Sequence, residues 1–251
     1  MNEKEMRFPI FHVPHDGCRF PVMLMTSVCV PLNEFYQYHE KMRDKMILKV
    51  IPEEFQDDAH TVNFPVSRLL CDVERFIGPK ELMEQYGMGF CYEKAYDGTV
   101  IKTVTEEIKK RTLAHYYRHH KRMDRICECH KKVLLVDLHS YSNEIVPKDF
   151  LCGDVETPDI CIGVDSVFTP EKLIVSAEKC FQTAGFSTAL DYPYAGCYIP
   201  NAVMSGLSGC DFNSVMIEIN KRIYLDSEEK PDFTQIDIIQ RVIRQIITEC
   251  I

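Results

Sequence analysis

The chain has 251 residues, 45% hydrophobic and 27% charged, which suits one large α/β domain built on a two-sided sheet. A net charge of −9 argues against a nucleic-acid backbone or an anionic membrane as partner, and an anionic small molecule would need a local set of arginines. The opening MNEKEMRFPIFHVPHDG has no apolar leader core, and no stretch approaches membrane-spanning length, so a cytoplasmic protein is expected.

Twelve cysteines are many. Cys29, Cys71, Cys91, Cys161 and Cys180 lie inside apolar runs, where a thiol behaves as a small buried hydrophobe, so the set reads as reduced thiols of an intracellular protein. Cys127-Glu128-Cys129-His130 lacks the second ligand pair that a structural zinc site takes, and reads as a solvated helix end.

In chain order, FPIFHV (8–13) reads as a strand that runs into Pro14-His15-Asp16-Gly17. Residues 33–50 follow a helical period from an Asn33 cap with Glu34 in the first turn. VSRLLC (66–71) reads as a second strand, followed by Asp72-Val73-Glu74-Arg75. Residues 105–130 place Ile108, Leu113, Tyr116, His120, Met123 and Cys127 on one helical face. The branched aliphatics at 133–138 read as an interior strand of a mostly parallel sheet, and they run into Asp137, His139 and Ser140. DICIGVD (159–165) is another buried strand. Thr169-Pro170-Glu171 opens a helix as cap, first-position proline and first-turn acid, and Gly185 closes it. NSVMIEIN (213–220) is a strand with Glu218 embedded in it. Residues 234–250 put Ile239, Val242, Ile243, Ile246 and Ile247 on a face that should cover the sheet. No repeat or composition break divides the chain, so residues 1–251 are expected to form a single domain, with a homo-oligomer left open.

Polar groups thus follow three strand ends: His15, the pair Arg68 and Arg75, and His139. Ligands of open α/β sheets bind beyond the carboxyl ends of the strands. Two histidines plus a carboxylate are the donors of a catalytic zinc, which keeps one position for water and lowers that water's pKa.

Seven blocks in order resemble the N-formylglutamate amidohydrolase family: PHDG (14–17), SRLLCDVERF (67–76), YGMGFCY (86–92), VDLHSYSNE (136–144), PDICIGVD (158–165), YPYAGCYIP (192–200) and IEINKRIYLD (217–226). The resemblance implies a zinc carboxypeptidase-like fold: a mixed, largely parallel sheet flanked by helices. It implies one Zn2+ per chain, with His15 and His139 as ligands. The third ligand it implies is Asp58 in FQDDAHT, or Asp57 if the register slips by one. It makes Glu218 the general base; Glu144 of the SNE segment is the next candidate in the sequence should Glu218 not serve. Arg68 becomes the stabiliser of the oxyanion and Arg75 the grip on a substrate carboxylate; either arginine could instead pair with Asp72 or Glu74. Tyr192, Tyr194 and Gly196 belong to a loop that closes over the substrate.

Asp16 stands where the family commonly has serine, Asp191 where asparagine is usual, and Lys221 where arginine is usual. The implied activity is metal-dependent hydrolysis of the amide of a small N-acyl amino acid, with N-formyl-L-glutamate leading. The alternatives are a related amidase or carboxypeptidase on another acylated amino acid or peptide, a thiol amidase using Cys18 or Cys71 with His15, and a binding protein on the same scaffold.

Overall fold

The computed structural model describes residues 6–78 and 80–250. Its strands are β1 (Phe8–Val13), β2 (Thr61–Asn63), β3 (Lys132–Tyr141), β4 (Ile160–Gly163), β5 (Thr188–Leu190) and β6 (Asp211–Asn220), and they form one sheet in the order β2-β1-β3-β6-β4-β5. β1–β3, β3–β6 and β4–β5 pair in parallel, whereas β4–β6 is antiparallel. The sheet is therefore mixed and mostly parallel, as expected. The helices are α1 (Val22–Met25), α2 (Leu32–Met42), α3 (Glu106–Cys129), α4 (Glu171–Thr183), α5 (Asn201–Met204) and α6 (Phe233–Cys250).

The chain groups into two compact units. Of the described residues, one unit holds 6–13, 46–62 and 124–250, and the other holds 14–45, 63–78 and 80–123.

In the first unit, side chains alternate across the sheet. Phe11, Val13, Val136, Leu138, Ile160, Ile162, Ile217 and Ile219 face the core. Against them pack Leu173, Ala177 and Phe181 of α4 and the Ile239, Val242, Ile243, Ile246 and Ile247 stripe of α6, as the helical period predicts. Each such side chain contributes roughly 1.5–3 kcal/mol on burial. That apolar layer anchors β3 and β6, whose other face carries the polar residues.

The second unit is helical and loop-built, with Leu24, Phe35, Leu69, Leu70, Tyr92 and Ile101 buried. Here the strand expected at 66–71 is a turn. Val66 makes one isolated bridge to Arg19, and the amides of Leu70 and Cys71 then donate to the Ser67 carbonyl. The buried Lys102 ammonium donates to the Leu69 carbonyl at 2.7 Å. The run is apolar because it is buried, but its backbone groups are satisfied locally and no ladder forms.

Three further differences are local. The helix expected over 33–50 stops at Met42, because Arg43 is extended and Met46 adopts a left-handed φ of 64°; the chain resumes as a 3₁₀ turn at Ile47–Val50. Thr169 is not the α4 cap; its hydroxyl donates to the Ser214 carbonyl at 2.7 Å. Cys29 is exposed, while the other four run-embedded cysteines are buried, and all twelve are free thiols. Cys129 ends α3 exposed, and the His130 ring stacks on Phe8 at 3.9 Å, which fits a plain helix terminus.

Candidate active site

The polar face of the first unit follows from strand register. His12 pairs with Asp137, and His139 pairs with Glu218, which in turn opposes Cys161. Register partners project to the same side, so His12, Asp137, His139, Glu218 and Cys161 share one face. All five are buried.

A buried carboxylate is costly unless donors surround it. Asp137 has three: Oδ1 accepts from His12 Nδ1 at 2.8 Å and from His139 Nε2 at 3.1 Å, and Oδ2 accepts the Tyr198 amide at 2.8 Å. Burial opposes ionisation, yet His139 and the His12 hydrogen bond hold Asp137 well below the usual carboxylate range. An ionised carboxylate only accepts. His139 therefore carries its proton on Nε2 and, when neutral, keeps its lone pair on Nδ1.

The loop with Tyr192, Tyr194 and Gly196 is pinned from several sides. Asp191 Oδ1 accepts the Val164 and Gly196 amides, the Tyr192 hydroxyl donates to the Val155 carbonyl, and the Cys161 thiol donates to the Tyr194 carbonyl at 3.1 Å. The Tyr194 ring meets Tyr141 and Phe150, both at 5.9 Å. A Cβ on Gly163 would stand 2.1 Å from the Gly196 carbonyl oxygen, so only glycine lets the loop approach the end of β4 this closely. Because Asp191 only accepts backbone N–H groups, an asparagine oxygen would do the same work.

In the second unit, Asp72 is fully buried and gathers the cations. Oδ1 accepts from His15 Nε2 at 2.9 Å; Oδ2 accepts from Arg68 at 3.0 Å and from the Tyr92 hydroxyl at 2.9 Å. Arg75 Nε lies 3.6 Å from Oδ2. Burial opposes it, but His15, Arg68 and Arg75 together keep Asp72 far below its ordinary pKa. Burial and Arg68 pull the His15 imidazole down, and Asp72 and Asp44 outweigh them to leave its pKa raised. Arg68 is held at both ends, since it also donates to the Met42 carbonyl at 3.3 Å. The Asp72 pairing weighed for the arginines is thus present for both.

His15 Nδ1 lies 3.7 Å from a carboxylate oxygen of Asp44, which is buried. Nothing in the sequence singles that aspartate out, because Arg43-Asp44-Lys45 is a charged stretch within the helix expected over 33–50. Asp58 and Asp57, weighed for the same role, are both exposed; Asp57 Oδ1 accepts the Ala59 and His60 amides and meets His60 Nδ1, each at 2.9 Å. Asp16 is held by Arg43, whose guanidinium donates to Asp16 at 3.0 Å and to the Cys18 sulfur at 2.9 Å. Cys71 is fully buried, which leaves its thiol no approach to a substrate.

The family model of the N-formylglutamate amidohydrolases matches residues 9–225. The chain belongs to that family. It is a hydrolase that acts on a non-peptide carbon–nitrogen bond of an amide. An N-formylglutamate amidohydrolase from Ralstonia eutropha JMP134 is similar in structure, with a TM-score of 0.79 at 17% identity over 99% of this chain and 95% of that one. A zinc-free YNDL gives a TM-score of 0.29 at 17% identity, covering 46% of this chain and 53% of its own. A bacteriophage poly-gamma-glutamate hydrolase gives 0.30 at 12% identity, covering 49% and 56%. No curated protein matches the sequence. The first likeness shows the fold. None of the described helices is long and apolar enough to cross a membrane.

Proposed function

We propose that the chain hydrolyses N-formyl-L-glutamate to formate and L-glutamate with one zinc ion held by His15, Asp44 and His139. The observation that carries this reading is the unbroken family match over residues 9–225, which takes in His15, Asp44, Arg68, Arg75, His139 and Glu218. The same continuity supports treating the two units as parts of one domain.

The donor set fits zinc. Each histidine has Nε2 hydrogen-bonded to a buried aspartate, the outer-sphere arrangement typical of metal-binding histidines. His15 Nδ1 and Asp44 stand beyond hydrogen-bond length, close to the roughly 3.3 Å that separates two tetrahedral ligands at zinc's bond lengths. Asp44 takes the place expected for Asp58, because an exposed carboxylate is solvated by water and a buried one needs a cation. When bound, such an ion supplies Lewis-acid polarisation and brings the pKa of water toward neutrality.

The protein groups do the rest. Glu218, beside His139 in register, takes a proton from the attacking water and passes it to the departing amine nitrogen. Arg68, fixed by Asp72 and Met42, offers its charge to the oxyanion as the carbonyl becomes tetrahedral. Arg75 binds the substrate carboxylate. Tyr192, Tyr194 and Gly196 form a wall of the site, already braced before substrate arrives. The small-molecule amide is the partner, and twelve free thiols favour the cytoplasm.

The deciding experiment is formate release from N-formyl-L-glutamate by chelator-stripped protein with and without added zinc, alongside N-acetyl-glutamate and N-formyl derivatives of neutral amino acids. Zinc-dependent turnover of the first supports the proposal. Turnover of only the others moves the substrate to another acylated amino acid, and turnover that ignores chelator rejects the metal.

A further inference from the structure

Asp137 serves two histidines through a single oxygen, and one of them, His139, is the ligand proposed above. The other is His12 on β1, completely buried, one strand away from Asp137 in register. Its ring lies 4.2 Å from that of Tyr198, tilted by 36°. Tyr198 is itself fixed: its amide donates to Asp137 Oδ2, and its carbonyl accepts the Ser214 hydroxyl at 3.0 Å. The His12 ring thus lies between Asp137 and an anchored loop residue, and its Nδ1–H meets Oδ1 at 2.8 Å. The His139 contact to the same oxygen is longer, at 3.1 Å.

We propose that His12 is a positioning residue for His139, clamping the Asp137 carboxylate so that His139 is held with Nε2–H on aspartate and Nδ1 presented as ligand. The proposal rests on the zinc reading above. The physical argument is one of constraint. An aspartate side chain has two rotatable bonds, and the Tyr198 amide fixes only Oδ2. Oδ1 must also be fixed if it is to orient an imidazole, and the shortest bond it makes is to His12. The energetic argument agrees: an ionised carboxylate at this depth needs several donors, and His12 is one of three. A ring that served only to fill space would not need a nitrogen at 2.8 Å from a carboxylate.

Asparagine can place its side-chain nitrogen near the position of histidine Nδ1, whereas leucine fills the space without a donor and glutamine carries its amide one bond further out. The test is cobalt(II) titration of chelator-stripped wild type, His12→Asn, His12→Leu and His12→Gln, reading affinity and the visible absorption of the bound ion. Outer-sphere partners of metal ligands are worth about 10–100-fold in affinity. His12→Leu and His12→Gln should therefore bind roughly tenfold more weakly, with an altered cobalt spectrum, and His12→Asn should stay near wild type. Should the leucine variant fail to fold, the glutamine variant carries the comparison alone. Wild-type affinity and spectrum in His12→Gln would overturn the proposal, as would equal losses in the asparagine and glutamine variants, which would mark a packing role. A wild type that takes up no cobalt overturns the zinc reading instead. His12 is then judged by imidazole ¹⁵N resonances, where His139 should show one sharp Nε2–H form in the wild type and a mixed or broadened one in His12→Gln. An unchanged His139 signal would reject the role.

Discussion

The Asp44 amide donates to the His15 carbonyl at 3.1 Å, and the two side chains then face each other across 3.7 Å. The backbone bond between residues 15 and 44 fixes the spacing of the two side chains, as the proposed zinc site requires. Asp44→Asn should lose zinc by more than the 10–100-fold typical of an outer-sphere change. Asp58→Asn should keep it. Metal content after dialysis against a graded chelator series checks both, and loss confined to the Asp58 variant would restore the sequence expectation.

Glu218 offers a cleaner separation of roles, because glutamine keeps its volume and removes the proton acceptor. Glu218→Gln should retain zinc while turnover falls by roughly 10²–10⁴. Metal loss in this variant would make Glu218 a ligand. Full activity would shift the base to Glu144.

The readable parts of the sequence were those where one residue's chemistry and its periodicity agreed. β3 declared itself by its aliphatic run, α6 by its isoleucine stripe, and His139 and Glu218 by being polar within such strands. Asp44 was invisible because burial comes from the fold around it, while its neighbours Arg43 and Lys45 mark it as surface. The turn at 67–71 resembles a strand in sequence for a related reason: Leu69, Leu70 and Cys71 are buried, but hydrophobicity does not say whether backbone groups pair with a strand or with Ser67 and Lys102. His12 passed as one more residue of an apolar strand, although its Nδ1 bond to Asp137 gives it a definite task.

The narrow approach between β4 and the 191–198 loop makes Gly163 a sensitive position. A Cβ there meets the Gly196 carbonyl oxygen at 2.1 Å and the Met216 Cε at 2.5 Å. Methionine can swing away, but a backbone carbonyl held by the Asp191 turn cannot. Gly163→Ala should cost about 1–3 kcal/mol of stability, in the range of overpacked cores, and should lower activity as the loop shifts. Chemical denaturation and turnover test this together, and a variant equal to wild type in both would show that the loop has room to yield.

His39 gives the protein a specific acid sensitivity. Burial, aided by Arg43, lowers its pKa from 6.5 to about 4. The unfolded chain therefore takes up a proton near pH 6.5 that the folded chain refuses until about pH 4. Stability from this group is complete above pH 6.5 and is lost as pH falls toward 4, by about 3 kcal/mol at most. The raised pKa of His15 works in the opposite sense, but it is common to wild type and variant and cancels in the difference. Urea denaturation across pH 4–7 should show wild type losing more stability than His39→Asn. Parallel curves would mean that the ring at residue 39 is protonated in the folded protein.

Arg68 and Arg75 share Asp72 but are held differently, and the difference predicts their kinetics. Arg68 is bound at one end by Asp72 at 3.0 Å and at the other by the Met42 carbonyl, with the Tyr92 ring 5.9 Å from its guanidinium carbon. Arg75 touches Asp72 only through Nε, at 3.6 Å. A guanidinium locked on both sides suits a charge that must stand still while an oxyanion forms; one more loosely tethered suits a carboxylate that arrives and leaves. Charge-assisted contacts are worth about 1.5–3 kcal/mol, so Arg75→Lys should lower kcat/KM for N-formyl-L-glutamate by roughly ten- to a hundredfold. The loss should fall mainly on KM and should largely vanish with an amide-capped analogue. Arg68→Lys should instead depress kcat for capped and uncapped substrates alike, because the oxyanion forms whatever the rest of the molecule carries. Equal losses on both substrates in the Arg75 variant would remove the carboxylate grip from this residue and leave it a structural partner of Asp72.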